Sequence, residues 1–328
     1  MSEITSGAIH AFYLFDVAQA IDLPTLQRLL GPGATPAVIE DKSPGISKVR
    51  YFVPPVVADG DVLQIPEVAG FRLRVKGYDY GVISLMLSRP FSGPWDEFIR
   101  IGQDVIENDA LERQATDVCK RILGRVGEAL TGQRQVLLTE DYQVFVVHAF
   151  DRPVTADQLV ESRGGDLAQL LRGERQTLSR QEREEVLRHR LSYLTDDLVV
   201  PAYNAAFVLD TEAGARGVLE ILEFVNSQLL EFRYHDELLE TELTRIYSAL
   251  QAPRWTDKYL GRRPTQAARR LHSLFVDVNE LTDRMENAVK LVGDVYAARL
   301  FGLAAARLGL DAWKRNVQDK LKTLLERG

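Results

Sequence analysis

The chain has little of the chemistry that marks disulfide-stapled or metal-bound proteins. It contains one cysteine, Cys119, and five histidines among 328 residues. A single cysteine excludes an intramolecular disulfide framework and is typical of a reducing compartment. The scattered histidines leave no zinc-finger spacing. Cys119 shares a predicted helix with apolar residues, so we interpret it as buried filler rather than as a nucleophile.

Long apolar runs and an excess of positive charge are also missing. The most apolar segment, 296–310, is interrupted by Arg299 and Arg307. It predicts an amphipathic helix rather than a membrane span. Residues 1–8 lack the basic and apolar regions of a secretory signal. Lys and Arg number 40 against 47 Asp and Glu, a net charge of −7, which argues against nucleic-acid binding over the whole surface.

Motifs of established chemistry are absent as well. The sequence has no Walker phosphate loop, no HExxH zinc motif, no GxSxG nucleophile elbow and no CxxC pair. Gly31-Pro32-Gly33 is not a dinucleotide fingerprint, because proline stands in the middle and the third glycine is missing. We therefore predict no catalytic residue, no metal site, no cofactor and no small-molecule substrate. The sequence leaves open whether the chain is an enzyme and favours that it is not.

The first half of the chain predicts strands and helices in the order of a split βαβ unit. Residues 9–16 are apolar on both faces, which is typical of a central strand. A helix over 24–30, a strand hairpin over 71–89, helical residues 95–130 and a strand over 142–150 follow. This order predicts an α+β chain with a ferredoxin-like βαββαβ domain at residues 1–152.

The first strand of that hairpin has one apolar and one basic face. The apolar residues Phe71, Leu73 and Val75 alternate with Arg72, Arg74 and Lys76. The period of two predicts that the basic side chains face water. Sheet faces of this fold bind RNA, although the aromatic residues that stack on bases are missing here. Because the predicted central strands are apolar on both faces, we expect residues 190–210 or another subunit to cover the second face of the sheet.

The second half of the chain predicts a connector and then long helices. Residues 153–211 are interpreted as a connector with short helices and strands, and residues 212–328 as a long-helix domain. Within the latter, apolar residues recur at alternating steps of four and three over 218–250 and 271–295.

This spacing is that of coiled coils. At about 1.5 Å per residue, helices over 212–250 and 265–308 are about 57 and 65 Å long, which favours a protruding antiparallel hairpin of coiled-coil type. Ordinary helices in a globular α domain are the alternative.

An acidic cluster lies on the first long helix. It comprises Glu231, Asp236, Glu237, Glu240 and Glu242, with Tyr234 and His235 among them. Carboxylates one helical turn apart can hold a divalent metal, which leaves a metal-dependent hydrolase as a further alternative. We favour a solvated helix face. Asp236 differs from the others because it falls on the apolar seam. A buried carboxylate needs a partner, so we expect Asp236 to be inaccessible, to pair with a basic or polar group of another helix and to set the helix register.

The connection between the two long helices is strongly basic. Residues 254–270 contain six Lys or Arg and one Asp, a net charge of +5, with aromatic residues interleaved. The candidate anion-binding residues are Arg254, Trp255, Lys258, Tyr259, Arg262 and Arg263. Such a set can bind RNA or the headgroups of an anionic lipid surface, and a solvated loop is the alternative.

Three stretches resemble the Rmd1/Sif2-Sif3 family. They are LVVP with NAA at 198–206, LEFVNSQLL at 222–230 and RYHDELL at 233–239. The resemblance is to a bacterial-type member, is clearest over residues 190–300 and contains no catalytic motif. Mitochondrial members of this family are named for "required for meiotic nuclear division". The resemblance implies a membrane-anchored protein with a span near its carboxyl terminus, and for mitochondrial members a link to the inner membrane and organellar translation. This chain differs in having no such span.

These features favour a non-enzymatic scaffold or interaction protein. We expect a homo-oligomer that self-associates through its long helices. We expect it to be cytoplasmic, and either peripheral to a membrane or anchored by a segment absent from this chain. The alternative is an RNA- or ribosome-associated protein that uses the basic connection.

Overall fold

The computed structural model describes residues 3–37, 51, 53–63, 70–251, 274–283 and 295–327. The strands in these ranges are β1 (Glu3–Asp16), β2 (Ala20–Ile21), β3 (Thr35–Pro36), β4 (Val56–Asp59), β5 (Arg72–Gly77), β6 (Val82–Pro94), β7 (Leu130–Thr131), β8 (Leu138–Phe150), β9 (Leu198–Pro201) and β10 (Ala205–Leu209). The helices are α1 (Leu23–Leu30), α2 (Gly60–Leu63), α3 (Trp95–Ile106), α4 (Asp109–Val126), α5 (Ala156–Arg172), α6 (Arg180–Arg188), α7 (Glu212–Gln251), α8 (274–283), α9 (Val295–Arg307) and α10 (Leu310–Arg327).

A mixed sheet of eight strands organises these elements. Its order is β3-β4-β5-β6-β1-β8-β10-β9. Neighbouring strands are antiparallel except β8 and β10, which run parallel. β1 pairs with β6 on one side and β8 on the other along almost its whole length, which places it inside the sheet. A separate short pair joins β2 to β7.

Helices cover both faces of the sheet. Successive side chains of a strand point to opposite faces. In β1, Ile9, Ala11 and Tyr13 therefore pack in the cluster that includes α1, α3, α4 and α5. Phe12 and Leu14 pack on the other face, with α7, α9 and α10. The chain thus forms a helix layer, a sheet layer and a second helix layer.

The predicted ferredoxin-like domain is wrong. Strands β5, β6, β1 and β8 lie side by side, but they do not form a small domain of their own. β4 and β3 continue the sheet beyond β5, and β10 and β9 continue it beyond β8. The physical reason is that the free edge of β8 pairs with a strand from much later in the chain, with Val144 opposite Ala206. The domain boundaries at residues 152 and 211 stay a prediction.

The predicted coiled-coil hairpin is also wrong. α7 is one helix of 40 residues, but its apolar seam packs on the sheet. Val218, Leu222 and Val225 are fully buried in the same cluster as the strand residues Val144 and Val208. A seam with steps of three and four requires only an apolar surface to cover it, and a sheet face satisfies it as well as a helix does.

Helices therefore pack on the second face of the sheet. α7, α9 and α10 cover it, whereas we expected residues 190–210 or another subunit. α9 has 13 residues and α10 has 18. Among the helices in the described ranges, none is long and apolar enough to cross a membrane.

Candidate functional site

A cleft of about 480 Å³ lies between the middle of α7, α8 and the turn between β5 and β6. We call it the central cleft. The α7 residues that line it recur at steps of three and four positions, with Tyr234 and His235 adjacent, so they share one side of the helix. They are Glu231, Tyr234, His235, Leu238 and Glu242. The other lining residues are Gln19, Ala20, Asp79, Tyr80, Arg134, Leu274, Asp277, Glu280 and Leu281.

Arg134 connects the floor of the central cleft to the core. Its Nε donates to both carboxylate oxygens of the buried Asp16, at 3.1 and 3.0 Å. Its guanidinium carbon lies 3.8 Å from the centre of the Tyr234 ring. Burial raises the pKa of Asp16 to about 6, although Arg134 works against this shift. The charge of Arg134 is thus directed toward Asp16 as well as the cleft.

Carboxylates dominate the central cleft. Those that line it are Asp79, Glu231, Glu242, Asp277 and Glu280. Burial first, and then the neighbouring Glu280, raise the pKa of Asp277. This surface favours positively charged groups. Within the part of the chain that the structure describes, no three His, Cys, Asp or Glu side chains are grouped to hold a metal ion.

The structure divides the predicted acidic cluster between two faces of α7. Glu231 and Glu242 face the central cleft. Asp236 and Glu240 instead pair with Lys320 of α10, with Nζ–O distances of 3.0 and 2.8 Å. Asp236 is half-buried and has a basic partner on another helix. Its role in setting the helix register stays a prediction.

The candidate anion-binding residues are not placed. Arg254, Trp255, Lys258, Tyr259, Arg262 and Arg263 lie outside the residues that the structure describes. Their anion-binding role stays a prediction.

A buried ionic cluster contradicts the prediction that Lys76 faces water. Arg72 and Arg74 are exposed as expected, but only 3% of the Lys76 side chain is accessible. Its Nζ donates to both Glu220 carboxylate oxygens at 2.9 Å and also to Glu223. We call Lys76, Glu220 and Glu223 the buried ion triad. Lys76 is enclosed because α7 crosses the far end of β5, which no pattern within β5 reveals.

Opposing effects set the protonation of the buried ion triad. Burial acts to lower the pKa of Lys76, but the two carboxylates outweigh it and the pKa lies above its usual value. Burial raises the pKa of Glu223. Burial acts in the same direction on Glu220, yet Lys76 and the Tyr51 hydroxyl, which donates to it at 2.8 Å, hold its pKa below the usual value. Two glutamates three residues apart on a core helix are the sequence signal that was missed.

A larger groove, of about 1030 Å³, lies where the parallel strands β8 and β10 end. We call it the strand-end groove. Its walls are residues 148–155, 193–197 and 209–214, together with Tyr296 of α9. The carboxyl ends of parallel strands are a common ligand-binding position in α/β sheets.

The rim of the strand-end groove displays two large apolar side chains. Tyr193 is 67% exposed and Leu194 is 61% exposed. The buried carboxylate of Asp197 accepts hydrogen bonds from the backbone N–H groups of both, at 2.7 and 2.6 Å. The Tyr193 ring also packs edge-on against Tyr296, with centroids 5.7 Å apart. The loop therefore holds these side chains at the surface through specific contacts.

The strand-end groove is acidic. Asp151, Asp196, Asp197 and Asp210 line it against one arginine, Arg152. Burial raises the pKa of Asp210, and the neighbouring carboxylates add to the shift. Sequence reasoning missed this surface because its aspartates come from three loops that meet only at the end of the sheet.

Residues 6–216 match the protein family described as "Uncharacterized protein MJ0711, N-terminal domain". The chain belongs to this family. The MJ0711 family match extends from β1 to the start of α7. It therefore contains nearly the whole sheet and every residue that lines the strand-end groove except Tyr296. Uncharacterized protein MJ0711 of Methanocaldococcus jannaschii is 21% identical over 197 residues. The match covers 60% of this chain and 60% of that protein. No solved structure matches the chain.

Proposed function

We propose that this member of the MJ0711 family is a non-enzymatic scaffold that self-associates. The observation that carries the proposal is the ordered display of Tyr193 and Leu194 at the rim of the strand-end groove. Adjacent exposed apolar side chains are a feature of interaction surfaces, and tyrosine is enriched at the residues that dominate binding energy. The contacts to Asp197 already order this loop, so they reduce the entropic cost of ordering it when a partner binds.

The proposed surface differs from the one that the sequence suggested. The seam of α7 is buried as far as Leu243, so it offers no apolar stripe to a second copy over those turns. The groove rim lies beside the first turn of α7, away from this seam, and its side chains Tyr193 and Leu194 are exposed.

The resemblance to the Rmd1/Sif2-Sif3 family supports this role and adds a location. The resembling stretches at 198–206 and 222–239 fall on β9, β10 and the buried part of α7. Most of them are packing residues, so the resemblance supports a related fold more directly than a shared site. By the same resemblance we propose that the scaffold acts at the surface of a membrane.

Light scattering and sedimentation velocity at micromolar concentration test self-association. We expect the wild-type chain to be larger than a monomer, and Tyr193→Ser combined with Leu194→Ser to reduce its size. Val136→Ser is the control. Val136 is 85% exposed and lies just before the first residue of β8, whereas the groove lies at the end of that strand. A wild-type monomer over the whole concentration range contradicts the scaffold proposal.

A further inference from the structure

We infer that the strand-end groove binds the basic segment 254–270 of a second copy of this chain. This inference rests on the proposed self-association and specifies the two surfaces that make it. The groove consists of described residues, and the segment is known by its sequence.

Charge supports the pairing. The strand-end groove carries four aspartates against one arginine. Segment 254–270 carries six Lys or Arg against one Asp. In a chain with a net charge of −7, this segment is the densest run of positive charge, so it is the part of a second copy that the groove attracts most strongly.

Aromatic content supports it as well. The segment interleaves Trp255 and Tyr259 with its basic residues. The groove places the exposed Tyr193 and Leu194 beside its carboxylates. Apolar contacts flanked by ion pairs form the usual arrangement of an interface core and its polar rim.

The first four basic residues of the segment cannot reach the groove of their own molecule, because the chain that follows α7 is too short. The groove reaches α7 as far as Gly214, so at about 1.5 Å per residue about 55 Å of helix separates it from Gln251. Arg263 follows Gln251 by 12 positions, and a fully extended chain of that length reaches about 43 Å. Arg254, Lys258 and Arg262 reach less far.

The last two basic residues of the segment cannot reach the groove of their own molecule either, because of where α8 begins. Arg269 and Arg270 precede α8 by a few residues, and α8 lines the central cleft with residues 231–242 of α7. Those residues lie about 25 Å or more along α7 from Gly214, the last α7 residue of the groove. Four or five extended residues reach about 18 Å at most. The groove must therefore receive the segment from another molecule.

This contact joins different surfaces of the two partners. A groove beside the start of α7 binds a segment that follows its end, so each bound pair leaves one groove and one segment free. Such a head-to-tail contact forms a closed ring or extends as a chain. Because its attraction is electrostatic, the assembly weakens as salt increases.

Charge exchange in the full-length chain tests the pairing. The groove variant combines Asp151→Arg with Asp196→Arg, both exposed and separate from the Asp197 contacts that hold the loop. The segment variant combines Arg262→Glu with Arg263→Glu. We expect each variant to weaken association at least about tenfold in sedimentation velocity, and the quadruple variant to regain it. Circular dichroism establishes that each variant is folded.

The control reverses the same number of charges elsewhere. Glu112→Arg with Asp117→Arg changes two exposed carboxylates on α4, in the other helix layer, and should leave association unchanged. If the wild type associates and the groove or segment variants associate equally well, the pairing is wrong although the scaffold proposal stands. A folded quadruple variant that stays dissociated also overturns it. A monomeric wild type overturns both proposals.

A different outcome would assign the segment to another partner. Single-stranded RNA and vesicles containing anionic phospholipid are titrated into the wild type and the segment variant at low salt. If the segment variant loses binding to either one but keeps its self-association, the segment binds polyanions and the pairing is wrong. We expect self-association to be the property that the segment variant loses.

Discussion

Lys76 and Glu223 lie 147 positions apart in the chain and meet in the interior, where the lysine of β5 donates a hydrogen bond to the glutamate of α7. Only 3% and 5% of their side chains are exposed. Glu220 completes the buried ion triad. A buried charge is stable only while its partner is present. The triad therefore links the middle of the long helix to the β5–β6 side of the sheet, and its loss has a measurable cost.

We predict that Lys76→Met lowers the free energy of unfolding by about 3–5 kcal/mol, because two carboxylates then lack their counterion. Urea denaturation measures the change. Replacing Glu223 with leucine in the same chain should restore part of the stability, since fewer charges are left buried. Arg74→Met is the control on the same strand. Its pair with Asp59 is exposed, so its loss should be below about 1 kcal/mol. Equal losses for Lys76→Met and Arg74→Met would contradict the triad.

Arg134→Gln should destabilise the chain more at pH 8 than at pH 5. Burial raises the pKa of Asp16 to about 6, so ionising this group costs folding free energy as pH rises from about 4 through 6. Without Arg134 the folded pKa rises further and the cost continues to grow above pH 6. At pH 8 we expect a loss of about 3–5 kcal/mol. Arg134→Lys keeps the charge and should lose less. Denaturation curves at the two pH values measure this difference. A loss of stability that is the same at both pH values would contradict the role of Asp16.

His10 should make the fold sensitive to acid. Burial, followed by the charges of His148 and Arg74, lowers the pKa of His10 to about 4 from an ordinary 6.5. The unfolded chain therefore binds a proton near pH 6.5 that the folded chain refuses until about pH 4, so stability falls as pH decreases across this window. We predict that His10→Gln removes up to about 3 kcal/mol of this dependence. Its Nδ1 lies 2.8 Å from Ser88 Oγ, a contact that glutamine can replace. Parallel stability curves for the two proteins would show that His10 is not the group responsible.

Asp236 should contribute little to stability. It is partly exposed, and its partner Lys320 also binds Glu240. Ion pairs that keep contact with water contribute at most about 1 kcal/mol, and with 17% of Asp236 and 25% of Lys320 exposed we expect Asp236→Asn to cost no more than that. A double-mutant cycle with Lys320→Met isolates the pair, and high salt should reduce the coupling. A cost above about 3 kcal/mol would instead indicate the buried, register-setting role that the apolar seam suggests.

Local pattern was sufficient to predict many individual elements. Residues 9–16 are apolar on both faces except at His10 and Asp16, and this part of β1 is buried on both faces. Steps of three and four from Val218 onward predict a long helix, and α7 occupies that range. The hairpin at 71–89 corresponds to β5 and β6. Each of these signals depends on neighbours a few residues apart, because the strand and helix periods are properties of the local backbone.

The sequence by itself therefore determined many of the longer elements, the scarcity of cysteine and histidine, and the dense positive charge of residues 254–270. Only the tertiary structure decided which surface covers which. The same apolar seam on α7 suits another helix or a sheet face, and the contacts with β1 and β8 select the sheet. Arg74 and Lys76 occupy equivalent positions in the alternating pattern of β5, but α7 covers only Lys76. The aspartates of the strand-end groove meet because β8 and β10 pair in parallel. These outcomes depend on side chains brought together from distant parts of the chain. The free energy of their burial arises only when the two segments meet, so neither segment predicts it alone.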